Sequence, residues 1–404
     1  MSAANGASLG AILELVRSGQ ARTRRDVQDL TGLSRSTLAL RMSHLLEAGY
    51  LREAGQVARS TGRPARILSF DESRQLVLAV DLGAMHAHLA LIDAGGQILM
   101  AATASQRIDA GPDEVLRYVT RRLTELLARS GRSLSEVAGV GVGIPGPVRF
   151  NTQRPNNPPL MPGWHDFPVA ERLSSVLGLP VFVDNDANLM GLGEARARYA
   201  DSPSVLFVKI GTGIGAGVIL HGQAERGVAG GAGDIGHIRI TPTGQGRLCT
   251  CGAVGCLATE ASGSAVARQL TEAGIPATTS ADVARLVALG NPRAIELVQR
   301  AGRQLGDVLA TSVALLNPAT VVLGGSLSAA GNPFIDAVRE TVFERTVSLA
   351  NRELTITGST LGSDAAVQGA RHLVIDQTFS PAAIDARFGR FESGFALSAA
   401  PPLM

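Results

Sequence analysis

The chain reads as an α/β protein in which an N-terminal winged helix-turn-helix precedes a larger, two-lobed α/β body. Three observations predict this. Positive charge gathers in the first 70 residues, and that segment carries helical apolar spacing, capping residues and a Gly-Pro hairpin turn. Beyond it, β-prone runs alternate with helical stretches across glycine-rich turns.

Residues 1–70 hold ten arginines against five acids, whereas the remaining 27 basic residues face 30 acidic ones. A basic head on a mildly acidic body suits contact with a polyanion. Of the 37 Lys and Arg residues only Lys209 is lysine, a bias expected from genome composition. A hydrophobic content of 45% with 18% charged residues excludes disordered and fibrous classes. No apolar run reaches the roughly 18 residues of a membrane helix, and the start lacks a secretory pattern, so a cytoplasmic protein is expected.

Apolar residues at 9, 12, 13, 15 and 16 predict a first helix that Gly19 ends. Thr23 caps a short second helix over residues 24–30, and Ser34 caps a third over residues 35–48. Leu38, Met42, Leu45 and Leu46 supply the core face of the third helix. Arg35, Ser36, Thr37 and Arg41 are left for the major groove of double-stranded operator DNA. Strands over residues 51–58 and 65–70 flank a turn whose glycine and proline present Arg63 as a wing to phosphate or the minor groove. A solvated protein-interaction module is the bland alternative.

The body opens with three β-prone runs over residues 76–81, 86–92 and 97–104, followed by a helix over 112–129 and a buried strand over 137–144. A strand over 181–184 leads into a helix after Asn185-Asp186-Ala187-Asn188. A hairpin then surrounds Gly211-Thr212-Gly213, where backbone N–H groups can approach phosphate oxygens with no Cβ in the way. Near the end, residues 321–323 form a strand into the Gly324-Gly325 turn.

All three cysteines fall together as Cys249-x-Cys251-x4-Cys256, with His237 upstream. Three thiolates and an imidazole are the donor set of a tetrahedral structural zinc; small buried thiols are the alternative.

The order Asp81-x-Gly83, Asn185-Asp186-x-Asn188, Gly211-Thr212-Gly213, Gly233-Asp234-Ile235-Gly236-His237, the cysteine cluster and Gly324-Gly325 resembles the ROK family of repressors and sugar kinases over about residues 9–375. The resemblance implies an actin-like (ribonuclease H-like) fold over residues 71–375, hinged near 184 and 360, with residues 1–70 as the winged head of the repressor branch. Residues 376–404 read by their own composition as a partly disordered tail, with docking of Phe388, Phe391 and Phe395 on the body as the alternative. The resemblance makes Asp186 the counterpart of the catalytic base and Asn185 a sugar contact. Asn156 or Asn157 and Asp234 join the effector site, and His237 serves both zinc and sugar. The loop at Pro162-Gly163-Trp164 is expected to fold over the sugar.

Departures from the kinase pattern shape the functional expectation. Ala84 and Met85 replace a glycine and a threonine of the first phosphate turn, which is expected to crowd out a nucleotide. Ala258 replaces a sugar-binding glutamate, and Asp234 is a shortened glutamate. Asp81, Gly83, Gly211, Thr212, Gly213, Gly324 and Gly325 therefore read as a vestigial nucleotide site, Asp186 as a vestigial base, and enzymatic activity as absent. The expected function is a repressor, homodimeric or homotetrameric, answering to a sugar or sugar derivative in the cleft. A sugar kinase that also binds DNA and a ligand-independent DNA-binding dimer are the alternatives.

Overall fold

The computed structural model describes residues 7–57 and 65–396. Three helices, α1 (Leu9–Arg17), α2 (Arg24–Thr31) and α3 (Arg35–Glu47), precede the antiparallel pair β1 (Leu51–Val57) and β2 (Ala65–Phe70). Each helix start is fixed locally. Ser8, Thr23 and Ser34 cap the three helices through their hydroxyls, and Asp26 returns the bond to the Thr23 N–H in a capping box. Gly32 closes α2 in the left-handed conformation at φ 66°. The turn carrying Arg63 lies outside the described residues.

The body contains two five-stranded sheets with the same topology. In the first, β3 (Leu76–Leu82), β4 (His86–Asp93) and β5 (Ile98–Ser105) form an antiparallel meander. Helix α4 (Pro112–Ser130) then crosses to β6 (Val137–Ile144), which runs parallel to β3. The short pair β7 (Val148–Arg149) and β8 (Arg154–Pro155) and helix α5 (Val169–Leu177) lead to β9 (Val181–Asn185), giving the order β5-β4-β3-β6-β9. Helix α6 (Asp186–Arg198) carries the chain into the second lobe.

There β10 (Ser204–Ile210), β11 (Ile214–Leu220) and β12 (Gln223–Glu225) repeat the meander. Helices α7 (Leu257–Ala261), α8 (Gly263–Glu272), α9 (Ser280–Ala288) and α10 (Pro292–Leu316) cross to β13 (Thr320–Gly324). Helices α11 (Asn332–Arg345) and α12 (Ser348–Asn351) then precede β14 (Thr355–Gly358), and the order β12-β11-β10-β13-β14 matches the first lobe strand for strand. Strands buried on both faces, such as β3 with every residue buried, need the apolar runs the sequence supplies.

Helices α6 and α13 (Ala365–Thr378) pack together between the sheets. A Cβ on Gly193 would stand 2.2 Å from the Ala365 carbonyl oxygen, and one on Gly369 1.8 Å from that of Leu189. Only glycine allows this approach of backbone to backbone. At the same joint Glu194 is wholly buried and accepts the N–H groups of Thr360 and Leu361 at 2.6 and 2.8 Å.

The expected loose tail is instead helix α14 (Pro381–Ala396), which packs on α1. Phe379 is buried edge-on against Tyr50 and Phe70, at centroid distances of 5.4 and 5.1 Å, and Asp385 accepts the Gly10 N–H at 2.8 Å. The core of the head is thereby continuous with that of α6 and α13. Residues 397–404 lie outside the described residues.

Candidate functional site

The matched sheets leave a cleft of about 910 Å³ between them. From the first lobe come Asp81 near the end of β3, Gly83 and Ala84 after it, His86 and His88 of β4, and Asn185 and Asp186 where β9 meets α6. From the second come Lys209, Gly211, Thr212, Gly213, Asp234, His237, Gly325 and Ser326. The cleft sits at strand ends and helix starts, where side chains converge while their backbones stay paired in the sheets.

Asn185 positions the start of α6: its carbonyl oxygen accepts the N–H groups of Ala187 and Asn188 at 2.9 and 3.2 Å, and its amide donates to the Gly146 carbonyl at 3.1 Å. Asp186 is buried; one oxygen accepts the Ala187 N–H at 2.7 Å and the other accepts the Lys209 ammonium. Burial pushes the Asp186 carboxyl upward, with Lys209 opposing. Burial also works against the charge on Lys209, but Asp186 and Asp81 outweigh it and raise the amine. Asp81 is held below its ordinary value; burial acts against it, and His86 and Lys209 prevail. Beside them Asp184 accepts Arg226 at 2.8 Å, and the guanidinium lies 3.8 Å from the centre of the Phe150 ring.

His237 and the three cysteines bring their donor atoms within 4.8 Å of one another. The Cys251–Cys256 sulfur separation is 3.7 Å, and Cys249 Sγ lies 3.4 Å from His237 Nδ1. A zinc tetrahedron with Zn–S near 2.3 Å has S–S edges of about 3.8 Å, which the Cys251–Cys256 pair matches, so the four donors could close on zinc. Burial, with the neighbouring sulfurs, pushes the Cys256 thiol up to about 12. Holding Cys256 as a thiolate here would call for a cation. Zinc, when bound, would fix the loop, and His237 would face it through Nδ1 while Nε2 looks toward Asp234, 3.9 Å away.

Several expected contacts are placed elsewhere. The Asn156 amide donates to the Ala229 carbonyl at 3.0 Å, and the Asn157 N–H donates to His165 at 3.1 Å. Neither asparagine lines the cleft: the Asn156 amide is taken by a second-lobe carbonyl, and the Asn157 backbone by the turn between β8 and α5. Trp164 is fully buried in the first-lobe core, its indole N–H on the Ile108 carbonyl at 3.1 Å, so it does not cover a ligand. Gly324 packs on Phe207, where a Cβ would stand 2.3 Å from the ring. In the head, Arg35 and Ser36 are exposed, the Thr37 hydroxyl joins the Ser34 cap at 2.8 Å, and the Arg41 guanidinium donates to the Ala7 carbonyl instead of standing free.

Lys209, His86, His88 and Arg268 were not anticipated in the cleft. For Lys209 the signal was available: it is the only lysine in the chain, two residues before the Gly211 turn.

Residues 77–377 match the family model described as the ROK family. This chain belongs to the ROK family. Its body is the α/β ROK-type fold, preceded by an N-terminal extension. It is 28% identical over 378 residues to a putative xylose repressor of Caldicellulosiruptor sp., covering 90% of this chain and 94% of that protein. A glucokinase of Halalkalibacterium halodurans is 30% identical over 316 residues, covering 74% of this chain and 95% of that protein. A solved ROK family transcriptional regulator, a homologue of the E. coli MLC protein, superposes with a TM-score of 0.76 at 26% identity, over 93% of this chain and 96% of that one. The ROK protein is thus related both to sugar kinases and to sugar-responsive repressors.

One expectation is overturned. Glucokinases and other sugar kinases predominate among these relatives, so enzymatic activity is plausible for this chain and not excluded. The steric premise also fails: Met85 is 47% exposed and does not line the cleft, and Ala84 offers it only a methyl group. Among the described residues no helix is long and apolar enough to cross a membrane.

Proposed function

We propose that this ROK protein is a DNA-binding transcriptional regulator, acting as a repressor, whose interlobe cleft binds a sugar or sugar derivative and whose His237–cysteine loop is held by structural zinc. One observation carries the reading. Relatives named as xylose repressors align over 88–91% of the chain, with its N-terminal head, whereas the glucokinases align over 74%. The head supports it further, with three capped helices, a β-hairpin, and Arg35 and Ser36 exposed at the start of α3, as in a winged helix-turn-helix. A two-fold oligomer in the cytoplasm would read an inverted-repeat operator. A ligand would shift DNA affinity only if it binds the two lobe arrangements unequally.

The test is selection of duplexes from a random pool, followed by gel shift of the selected duplex across a carbohydrate panel. Recovery of an inverted repeat whose binding changes with one sugar is expected. Failure to enrich any sequence, or affinity indifferent to every sugar, would count against the regulator.

A second reading, a sugar kinase that also binds DNA, is favoured by Asp186 and the Gly211 turn facing each other across one cleft. Sugar-dependent ADP release, lost in Asp186→Asn, would support it.

A further inference from the structure

Lys209 has no equivalent elsewhere in the chain, whose other basic side chains of that class are all arginine. It projects from β10 of the second lobe toward Asp186, which opens α6 at the end of the first lobe, so the pair spans the cleft. Its cross-strand neighbours are Gly215 on β11 and Gly324 on β13. Neither carries a side chain, which leaves the lysine stem unflanked on its own sheet and its ammonium turned into the cavity.

The hydrogen-bond inventory of this pair is incomplete. An ammonium has three donors, and among the described residues Lys209 uses one, on Asp186. Asp186 has one partner on each oxygen, and a carboxylate oxygen accepts two. Asp81 Oδ1, buried on the same wall, has no partner at all. Buried polar atoms are normally paired, so the cleft presents unfilled acceptors beside unfilled donors.

We propose that Lys209 is a specificity-determining residue of the cleft, acting with Asp186 to recognise two adjacent oxygens of a polyhydroxylated ligand. One hydroxyl donates to the carboxylate, and its neighbour accepts from the ammonium. A vicinal diol meets this requirement; a ligand with isolated hydroxyls does not. The role suits lysine because a compact ammonium fits between Asp186 and Asp81 and still reaches a third oxygen, while a planar guanidinium would fill that space. The electrostatics agree. Asp81 and Asp186 are two buried carboxylates on one wall, with His86 and His88 of β4 facing Asp81, and Asp184 already neutralised by Arg226. Lys209 is the cation that opposes the upward push of burial on Asp186 and helps to hold Asp81 down. The proposal rests on the carbohydrate reading of the cleft.

Full-length protein labelled with ζ-15N lysine should give one side-chain resonance, since there is one lysine. That resonance should move in Asp186→Asn and should move again on saturation with whichever of D-glucose, D-xylose and their phosphates binds by calorimetry. Lys209→Met should weaken that sugar by about tenfold to a hundredfold, the range for hydrogen bonds to charged groups. Lys209→Arg, which keeps the charge and protects against a folding failure, should also lose affinity. A lysine signal unmoved by a bound sugar, or unchanged affinity in both variants, would overturn the role of Lys209 alone. If no sugar binds the wild-type protein, the carbohydrate reading fails and takes this proposal with it.

Discussion

Arg17 in α1 of the head and Arg196 at the end of α6 share one carboxylate: Asp376 of α13 takes Arg17 on one oxygen at 3.1 Å and Arg196 on the other at 2.5 Å. Helix α6 begins in the cleft with Asp186, so one rigid rod joins the candidate ligand site to the ion pair that holds the head. His372 stands beside the same arginines; burial lowers its pKa well below the ordinary value, assisted by the charges of Arg371, Arg196 and Arg17. Asp376 is therefore the carboxylate that joins the head's Arg17 to Arg196 of α6, with Glu14 also on Arg17 at 2.9 Å.

Asp376→Ala should leave Arg196 partly buried without its counter-ion and Arg17 with Glu14 alone. A loss of about 1.5–3 kcal/mol is expected from urea unfolding, the scale of charge-assisted hydrogen bonds. If the proposed regulator is correct, the sugar-dependent change in operator affinity should shrink more than sugar affinity itself. Equal loss of both would show that the carboxylate only stabilises.

Gly10→Ala should release α14. The new Cβ would stand 2.2 Å from the Pro381 carbonyl oxygen and 2.5 Å from its Cα, and backbone cannot rotate away as a side chain would. A destabilisation of about 1–3 kcal/mol is expected, as for overpacked cores. Hydrogen exchange should rise in residues 381–389 before it rises in the β-sheets.

Zinc analysis of the purified protein should find one ion per chain. Cys251→Ser or chelation should increase exchange across residues 237–256 and weaken sugar binding, because the metal loop folds with its ion. DNA binding without sugar should persist, since the head packs on α14 and shares no residue with the cluster.

Arg35→Ala and Arg41→Ala should separate. Arg35 is exposed at the start of α3, so its loss should weaken selected duplexes and lower the salt dependence of binding. Arg41 holds the Ala7 carbonyl, so its removal should lower the melting temperature of the head more than it changes sequence preference.

Asp282 gives an acid-side test. Hydrogen bonds from the backbone and hydroxyls of Thr278 and Thr279 hold its carboxyl down to about 2. Depression in the folded state means that its stabilising contribution is full above the unfolded value, near pH 4, and is lost as pH falls through about 2. Asp282→Asn should remove that part of the acid sensitivity from denaturation midpoints measured between pH 5 and pH 2.

The elements of the head were legible because caps and apolar spacing act locally. Helix α1 was expected over residues 9–16 and spans Leu9–Arg17, and α3 ends one residue earlier than expected. The cysteine cluster was legible because donor type and spacing alone define a metal set. The turn of the Asn156 amide was not, because it depends on a carbonyl far away in sequence, that of Ala229. Helix α14 read as a tail for a similar reason: its value lies in covering α1, some 370 residues earlier.

The sequence by itself determined the composition of the protein's working parts: a basic capped head, glycine turns, a three-thiol loop and an Asn-Asp helix start. Only the tertiary structure decided what those parts face. It turned Met85 outward, set the lone lysine against Asp186, and tied Arg17 to Arg196 through Asp376. Local chemistry is written in short spacings, whereas the pairing of charges across a cleft depends on two sheets folding to the same topology and stacking their strand ends together.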